Sequence, residues 1–223
     1  MKKIISIIMA FMLSISTAGC MNSKIKVEET AKNFMDAYCE FNLKAAFEYL
    51  ENKENHELPF ETLEGFFETM RASMTEDDTI EGMSSYVDKF IVPLYSKFVE
   101  SLSYSIEKTE KQEDKFVVSV NLETINAENI NTEDINFEEI MSQLATELTE
   151  NGTLNEDMSQ DDFLAIIMEH APEKMAEKML SLLENAGMQT IPIKLVLKNV
   201  DGTYMITDES DIEKLLSSSA LSM

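Results

Sequence analysis

Apolar residues recur at two different periods along this chain, and the period switches four times. Val27, Ala31, Phe34, Met35, Tyr38 and Phe41 fall at helical spacing, which aligns them along one stripe of an amphipathic helix. Asn42 is placed to cap a short second helix through Leu43, Ala46, Phe47 and Leu50. Leu63, Phe67, Met70 and Met74 predict a third helix, and Val87, Ile91, Leu94 and Phe98 a fourth, with Pro93 kinking or breaking it near Val92.

The period then drops to two. Leu102, Tyr104 and Ile106 alternate with polar neighbours, a turn follows in Glu110 to Asp114, and Phe116, Val118, Val120 and Leu122 resume the alternation, which predicts a hairpin with one buried face. Ile191, Ile193, Leu195 and Leu197 predict a second strand pair: Asp201-Gly202 supplies the positive φ angles of a tight turn, and Tyr204 to Thr207 returns. Ser210-Asp211-Ile212-Glu213 has capping-box spacing and opens a terminal helix through Leu215 and Leu216, with a frayed tail at 219–223.

Between the strand pairs, residues 126–188 return to helical spacing. Asn136 and Glu139 cap a helix reaching Thr149, Ser159 and Asp162 cap another reaching His170, and Pro172 starts a third. Met175, Met179, Leu182, Leu183 and Ala186 line the inner face of that third helix, and Gly187 ends it in the left-handed conformation. The expectation is a single α+β domain over residues 27–218: N-terminal helices packed on a curved antiparallel four-stranded sheet, with the helical insertion 126–188 between the two strand pairs.

The first nineteen residues have a different character. Lys2 and Lys3 precede an apolar run from Ile4 to Ile15, and small residues follow up to Cys20, the three-part pattern of a secretory signal over 1–19. Thr17-Ala18-Gly19-Cys20 resembles the lipobox of bacterial lipoproteins, with Thr17 standing where an aliphatic residue is usual. That resemblance implies that the Cys20 thiol takes a diacylglyceryl group and that cleavage makes it the first residue. Cys20 is then the lipid-attachment site, residues 20–26 are an anchor and tether reaching at most about 20 Å, and the membrane is a partner through acylated Cys20. The plainer reading is a secreted protein in which Cys39 pairs with Cys20.

Ala31-Lys32-Asn33-Phe34-Met35-Asp36-Ala37-Tyr38, followed by Asn42 and Ala46, and the segment from Lys194 through Asp201-Gly202 to Ile206 carry a second likeness. With the order of elements, they resemble the cystatin-like or nuclear-transport-factor-like α+β fold found in bacterial lipoproteins, with Tyr204 where a Trp is common. Folds of this kind host enzymes and binding modules alike, so no functional residue carries over.

Charge narrows the field. The 223 residues include 18 Lys+Arg and 42 Asp+Glu, a net charge of −24, while 44 % are hydrophobic, enough to fold. Loss of 1–19 removes Lys2 and Lys3 and no acid, leaving −26. With Arg71 the one arginine and no basic run, nucleic acid is excluded as a partner.

Catalytic chemistry finds little purchase. Glycines are scattered, so no loop cradles a phosphate, and no cofactor is expected. His56 reads as a loop residue and His170 as a helix-end residue gaining from the dipole. Neither they nor Cys39, read as a packing thiol, make a metal site. Asn155, Glu156, Asp157, Asp161 and Asp162 offer oxygen ligands for a weak cation site but lack the spacing of a calcium loop. Met141, Met158, Met168, Met175, Met179 and Met188 read first as core and second as an adaptable surface for a partner. The expected function is a lipid-anchored, extracytoplasmic binding domain whose partner is an envelope protein or a small apolar ligand. The alternative is an enzyme with its pocket in the concavity of the sheet, where Tyr38 and Tyr104 are the candidate groups.

Overall fold

The computed structural model describes residues 22–55, 60–75, 86–131, 135–155, 157–208, 211–212 and 215. The chain divides into a sheet unit, drawn from the chain up to Glu57, Tyr104–Leu122 and the chain from Ile191 on, and a helical unit of Leu58–Ser103 and Glu123–Thr190.

In the sheet unit, helix α1 spans residues 22–39 and α2 spans Leu43–Phe47. The predicted stripe is the buried side of α1: Val27, Ala31, Phe34 and Met35 have no exposure. The helix starts earlier than Val27, so residues 22–26 are helical rather than an extended tether. Lys24 Nζ lies 3.8 Å from Glu28 Oε1 one turn on, and Thr30 Oγ1 donates to the Lys26 carbonyl at 3.0 Å. These local contacts suffice to continue a helix already nucleated by the buried turns behind it. At the other end Phe41 adopts φ 55°, and Asn42 N–H donates back to the Ala37 carbonyl at 2.8 Å, closing the helix in the manner usually reserved for glycine. Burial of the Phe41 ring, 3 % exposed, offsets a conformation that costs an L-residue roughly 1–2 kcal/mol.

Asn42 caps α2 as predicted, its Oδ1 accepting from Ala45 N–H at 3.2 Å. The helix stops at Phe47, short of Leu50, because Leu50 is drawn into a bridge with Ile206, with Glu51 N–H donating to the Ile206 carbonyl and Ile206 N–H to that of Tyr49.

Strands β1 (Ser103–Gln112), β2 (Lys115–Ile125), β3 (Met188–Val200) and β4 (Thr203–Asp208) form an open antiparallel sheet in sequential order. Asp201 at φ 50° and Gly202 at φ 92° make the predicted tight turn, with Val200 opposite Thr203. The first turn is tighter than expected: β1 runs on to Gln112, and Glu113 takes φ 55° in a two-residue loop. Leu122, Ile193, Leu195, Leu197 and Ile206 are fully buried with Phe34, Met35 and Leu50. Of the predicted terminal helix, residues 211–212 and 215 are helical, and Ile212 and Leu215 are buried. Ser210, Glu213, Leu216 and the tail 219–223 lie outside the described residues.

The helical unit contains α3 (Leu63–Thr75), a π-helical turn (Val87–Ile91) running directly into α4 (Val92–Ser101), α5 (Phe137–Glu150) and α6 (Gln160–Asn185). Pro93 does not break the chain's path. The widened π turn ends just before it, so its missing N–H falls in the first turn of α4, where none is required. Arg71 ties α3 to the π turn, reaching Glu64 at 3.1 Å and Asp88 at 2.8 Å.

The predicted break between two helices at Pro172 is likewise absent: α6 is continuous for 26 residues. An internal proline costs a helix about 3 kcal/mol or more. Burial of Ala171, Pro172 and Ala176 opposes that cost, and Lys89 Nζ donates to the Glu169 carbonyl at 2.9 Å, in the same turn as the Met168 carbonyl that the proline leaves without its helical donor. Leu144, Leu148, Leu154, Ile167 and Ala171 join α5 to the first half of α6 in one apolar cluster. Asn136 and Ser159 cap α5 and α6 as their spacing predicts, accepting from Glu139 and Asp162 N–H, and Gly187 follows α6 at φ 75°.

The insertion leaves β2 and returns to β3 through a closed neck. Asn126 N–H donates to the Gly187 carbonyl at 2.9 Å, Asn129 Nδ2 to that of Ala186 at 2.9 Å, and Gln189 Nε2 to that of Ile125 at 3.4 Å. Next to the neck, the Thr124 hydroxyl is buried with no partner among the described residues.

Two stability changes are expected in denaturant unfolding. Thr124→Val removes a buried, unbonded hydroxyl at constant shape and should stabilise by about 1 kcal/mol. Glu113→Asn places a residue tolerant of positive φ in the first turn and should add about 0.5–1 kcal/mol.

Candidate functional site

Cys20, the signal 1–19 and His56 lie outside the described residues, so the sequence reading of the anchor stands by itself. The other candidate groups divide between the two units.

In the sheet unit, Tyr38 and Tyr104 are committed to structural bonds. Tyr38 is 3 % exposed and its hydroxyl donates to the Leu215 carbonyl at 2.9 Å, tying α1 to the C-terminal segment. Tyr104, half-buried on β1, donates to Asp36 Oδ1 on α1 at 2.6 Å, and its oxygen lies 3.3 Å from the Lys32 carbonyl. Burial, then the bond to Asp36 and that residue's charge, push the phenol far above its ordinary value, so it stays protonated. Asp36 was not singled out by the sequence reading, and one more acid among 42 carries no signal. Cys39, partly buried on the same helix, has its pKa pushed up to about 12 by burial first and then by Asp36 and Glu40. A thiol in that environment is unreactive at neutral pH.

In the helical unit, the oxygen-rich loop does not gather into a cation site: among the described residues no three His, Cys, Asp or Glu side chains converge. Asp157 N–H donates to Asn155 Oδ1 at 3.1 Å, and Asp162 Oδ2 accepts from the Ser159 hydroxyl at 2.6 Å, so these groups build the turn and cap that start α6. Asn155, Asp157, Met158, Asp162, Ala165 and Ile166 line an open cleft of about 460 Å³. His170, read as a helix-end residue, sits in the middle of continuous α6, away from the C-terminal dipole.

The methionines are the informative group. None of the six in the insertion is fully buried: Met168 is 61 % and Met188 54 % exposed, and Met141, Met158, Met175 and Met179 are half-buried. Leu, Ile and Ala make the cluster that joins α5 to α6, and Met141 and Met158 pack against it, as the reading of them as core expects. Leu164, 49 % exposed, and Phe163, 39 % exposed, join Met168 at the start of α6. The sequence reading passed over Phe163 and Leu164. Their signal was an apolar run, Phe163-Leu164-Ala165-Ile166-Ile167-Met168, too long for one helix face to bury. At 100° per residue, Leu164, Met168, Met175 and Met179 fall in one arc, which buried Ala171 and Pro172 flank, while Ile166 and Asp162 at the cleft face the other way. Large exposed apolar groups in such a strip mark an interaction surface.

No family model matches the chain, and no curated protein matches it. Among solved structures it is similar to YcdA of Bacillus subtilis, provisionally described as a lipoprotein, at 13 % identity and a TM-score of 0.41, over 87 % of this chain and 56 % of that one. The chain thus spans little more than half the length of that protein, and a likeness at this level assigns no activity. No helix among the described residues is long and apolar enough to cross a membrane.

Tyr104→Phe is expected to destabilise by about 1–2 kcal/mol, the worth of a bond to a carboxylate, in denaturant unfolding. The Cys39 thiol should react slowly with a disulfide reagent at pH 8 in the native chain and rapidly once unfolded. Its folded pKa is raised, so its contribution to stability is full below its ordinary 9.0 and is lost as pH climbs toward about 12. Unfolding midpoints of wild type and Cys39→Ala should therefore converge over that range.

Proposed function

We propose that this chain is a lipid-anchored extracytoplasmic binding domain, held to a membrane through acylated Cys20 and presenting its helical insertion to an envelope protein. The anchor rests on the residues themselves: Lys2 and Lys3, the apolar run to Ile15, and Thr17-Ala18-Gly19-Cys20. Two acyl chains on one cysteine give stable attachment, where a single chain is marginal. Helical residues begin at 22, so at most about 7 Å of chain separates Cys20 from α1, and the sheet unit stands close to the headgroups. Helices α1 and α2 followed by a four-stranded antiparallel sheet also support the likeness to cystatin-like and nuclear-transport-factor-like domains, which adds no activity.

The observation that carries the binding role is the solvent exposure of Leu164 and Met168 on α6. Burying them in the chain's own core would have been favourable by roughly 1.5–3 kcal/mol each, so their exposure is what a partner surface requires.

Intact mass measurement of the natively expressed, membrane-extracted protein tests the anchor. The expected species begins at Cys20 and carries a diacylglyceryl group, and Cys20→Ser abolishes both the modification and membrane retention. An unmodified chain recovered from the medium would overturn the reading.

A further inference from the structure

We propose that the free edge of β1 pairs with the β1 edge of a second copy of this chain, antiparallel about a two-fold axis at Thr109, so that two sheets join into one. The inference goes beyond the anchor and the binding role given above and depends on neither. β1 is an outer strand of the sheet, and among the described residues no further backbone segment bonds to it. The opposite outer strand is already covered: Leu50 bridges Ile206 on β4, with Tyr49 and Glu51 bonded to the Ile206 backbone. Along the ten residues of β1, by contrast, the outward N–H and C=O groups have no strand opposite them, which makes the edge a template for another strand.

Charge selects both the occupant and the register. Glu107, Lys108, Glu110 and Lys111 are exposed on either side of half-buried Thr109. Read backwards, that order is its own complement. With Thr109 opposite Thr109, each Glu107 stands opposite a Lys111 and each Lys108 opposite a Glu110, and no like charges meet. Neighbouring registers fail: a slip of one place sets Glu107 against Glu110 or Lys108 against Lys111, and a slip of two sets Lys108 or Glu110 against itself. Edge charges of this kind repel most strands. Within one strand Lys108 Nζ lies 3.2 Å from Glu110 Oε2, so two copies bring two such pairs together as an alternating cluster, while Lys111 enters no ion pair among the described residues. At the axis itself, Thr109 Oγ1 has no hydrogen-bond partner among the described residues, and a facing threonine is a favourable cross-strand neighbour. Elsewhere the excess of acid opposes self-association: from Phe116 to Glu173 the chain has no Lys or Arg. Main-chain bonds supply the affinity of such an edge, and exposed ion pairs, weak one by one, supply its register.

The test is disulfide trapping with copper phenanthroline in the natively expressed, purified protein, read as dimer on a non-reducing gel and by intact mass, with the wild type as reference for Cys20 and Cys39. Thr109→Cys sets identical positions about 4.5–5.5 Å apart across the axis, within the span of a disulfide, and is expected to trap a dimer. Ser105→Cys, whose two copies would stand about 26 Å apart along the strands, should match the wild type. Added to Thr109→Cys, Lys108→Glu with Lys111→Glu sets only acids across the axis and should lower the trapped fraction about tenfold. Further addition of Glu107→Lys and Glu110→Lys rebuilds a complementary order and should restore the trap. A circular dichroism melt of each variant checks its folding. Carbodiimide coupling of the wild type gives a reading that needs no substitution: a dimer joined by an amide between Lys111 and Glu107 is expected. Absence of both the trapped and the coupled dimer would overturn the proposal. Equal trapping at Ser105→Cys would do the same, since it marks random collision, and so would trapping that ignores the charge changes. A trapped dimer whose mass shows Cys20 unacylated would leave the pairing standing and overturn the anchor.

Discussion

The long insertion depends on one constraint: it must leave β2 and re-enter at β3, and these two strands are neighbours in the sheet. The cost of bringing distant segments together rises only slowly with loop length, so a large insertion is tolerated once its two ends are fixed side by side. Here the fixing is done at backbone carbonyls, by one backbone N–H and two side-chain amides. Asn126 and Asn129 bond to the Gly187 and Ala186 carbonyls, just where α6 ends and Gly187 reverses the chain in the left-handed region. The orphan carbonyls of a helix terminus thereby find partners in the opposite stem of the insertion. Beyond that neck, α5 and α6 share a cluster of Leu, Ile and Ala side chains and α6 also packs on the π turn and α4, which leaves Leu164 and Met168 exposed on an outer arc at its start.

That outer arc is consistent with the chain's charge. A net charge of −24 opposes compaction, and proteins relieve it by pairing acids with the few bases at hand. Arg71 joins two acids, Lys174 joins two, and Lys97 and Lys198 hold Glu184 and Asp114. The acids at the start of α6 are left out of this scheme, although Asp161 and Asp162 sit in its first turn, where the helix dipole favours them. Their placement stabilises the start of α6.

The groups with chemical potential in the sheet unit are spent on architecture. Tyr104 and Asp36 link β1 to α1, Tyr38 links α1 to the C-terminal segment, and the Cys39 thiol is kept protonated by burial first and then by the charges of Asp36 and Glu40. Each of these bonds joins segments far apart in sequence, which is how a short four-stranded sheet with one edge strand only half-buried is kept against its helices.

Local physics was legible in the amino-acid order. The stripe from Val27 to Tyr38, the caps at Asn42, Asn136 and Ser159, the turn at Asp201-Gly202 and the helix stop at Gly187 all follow from interactions within a few residues, and the α+β order of elements followed from them. The proposed anchor at Cys20 rests on the sequence alone. Tertiary structure decided what depends on partners distant in the chain. Pro172 stays inside a continuous helix because it is buried and Lys89 reaches the freed turn, Pro93 is absorbed by a π turn, and Phe41 takes a glycine conformation because its ring is needed in the core. Whether a methionine at helical spacing faces the core or water was undecidable from periodicity, since the arc that α5 covers on α6 is set by packing between two helices and not by either one's sequence.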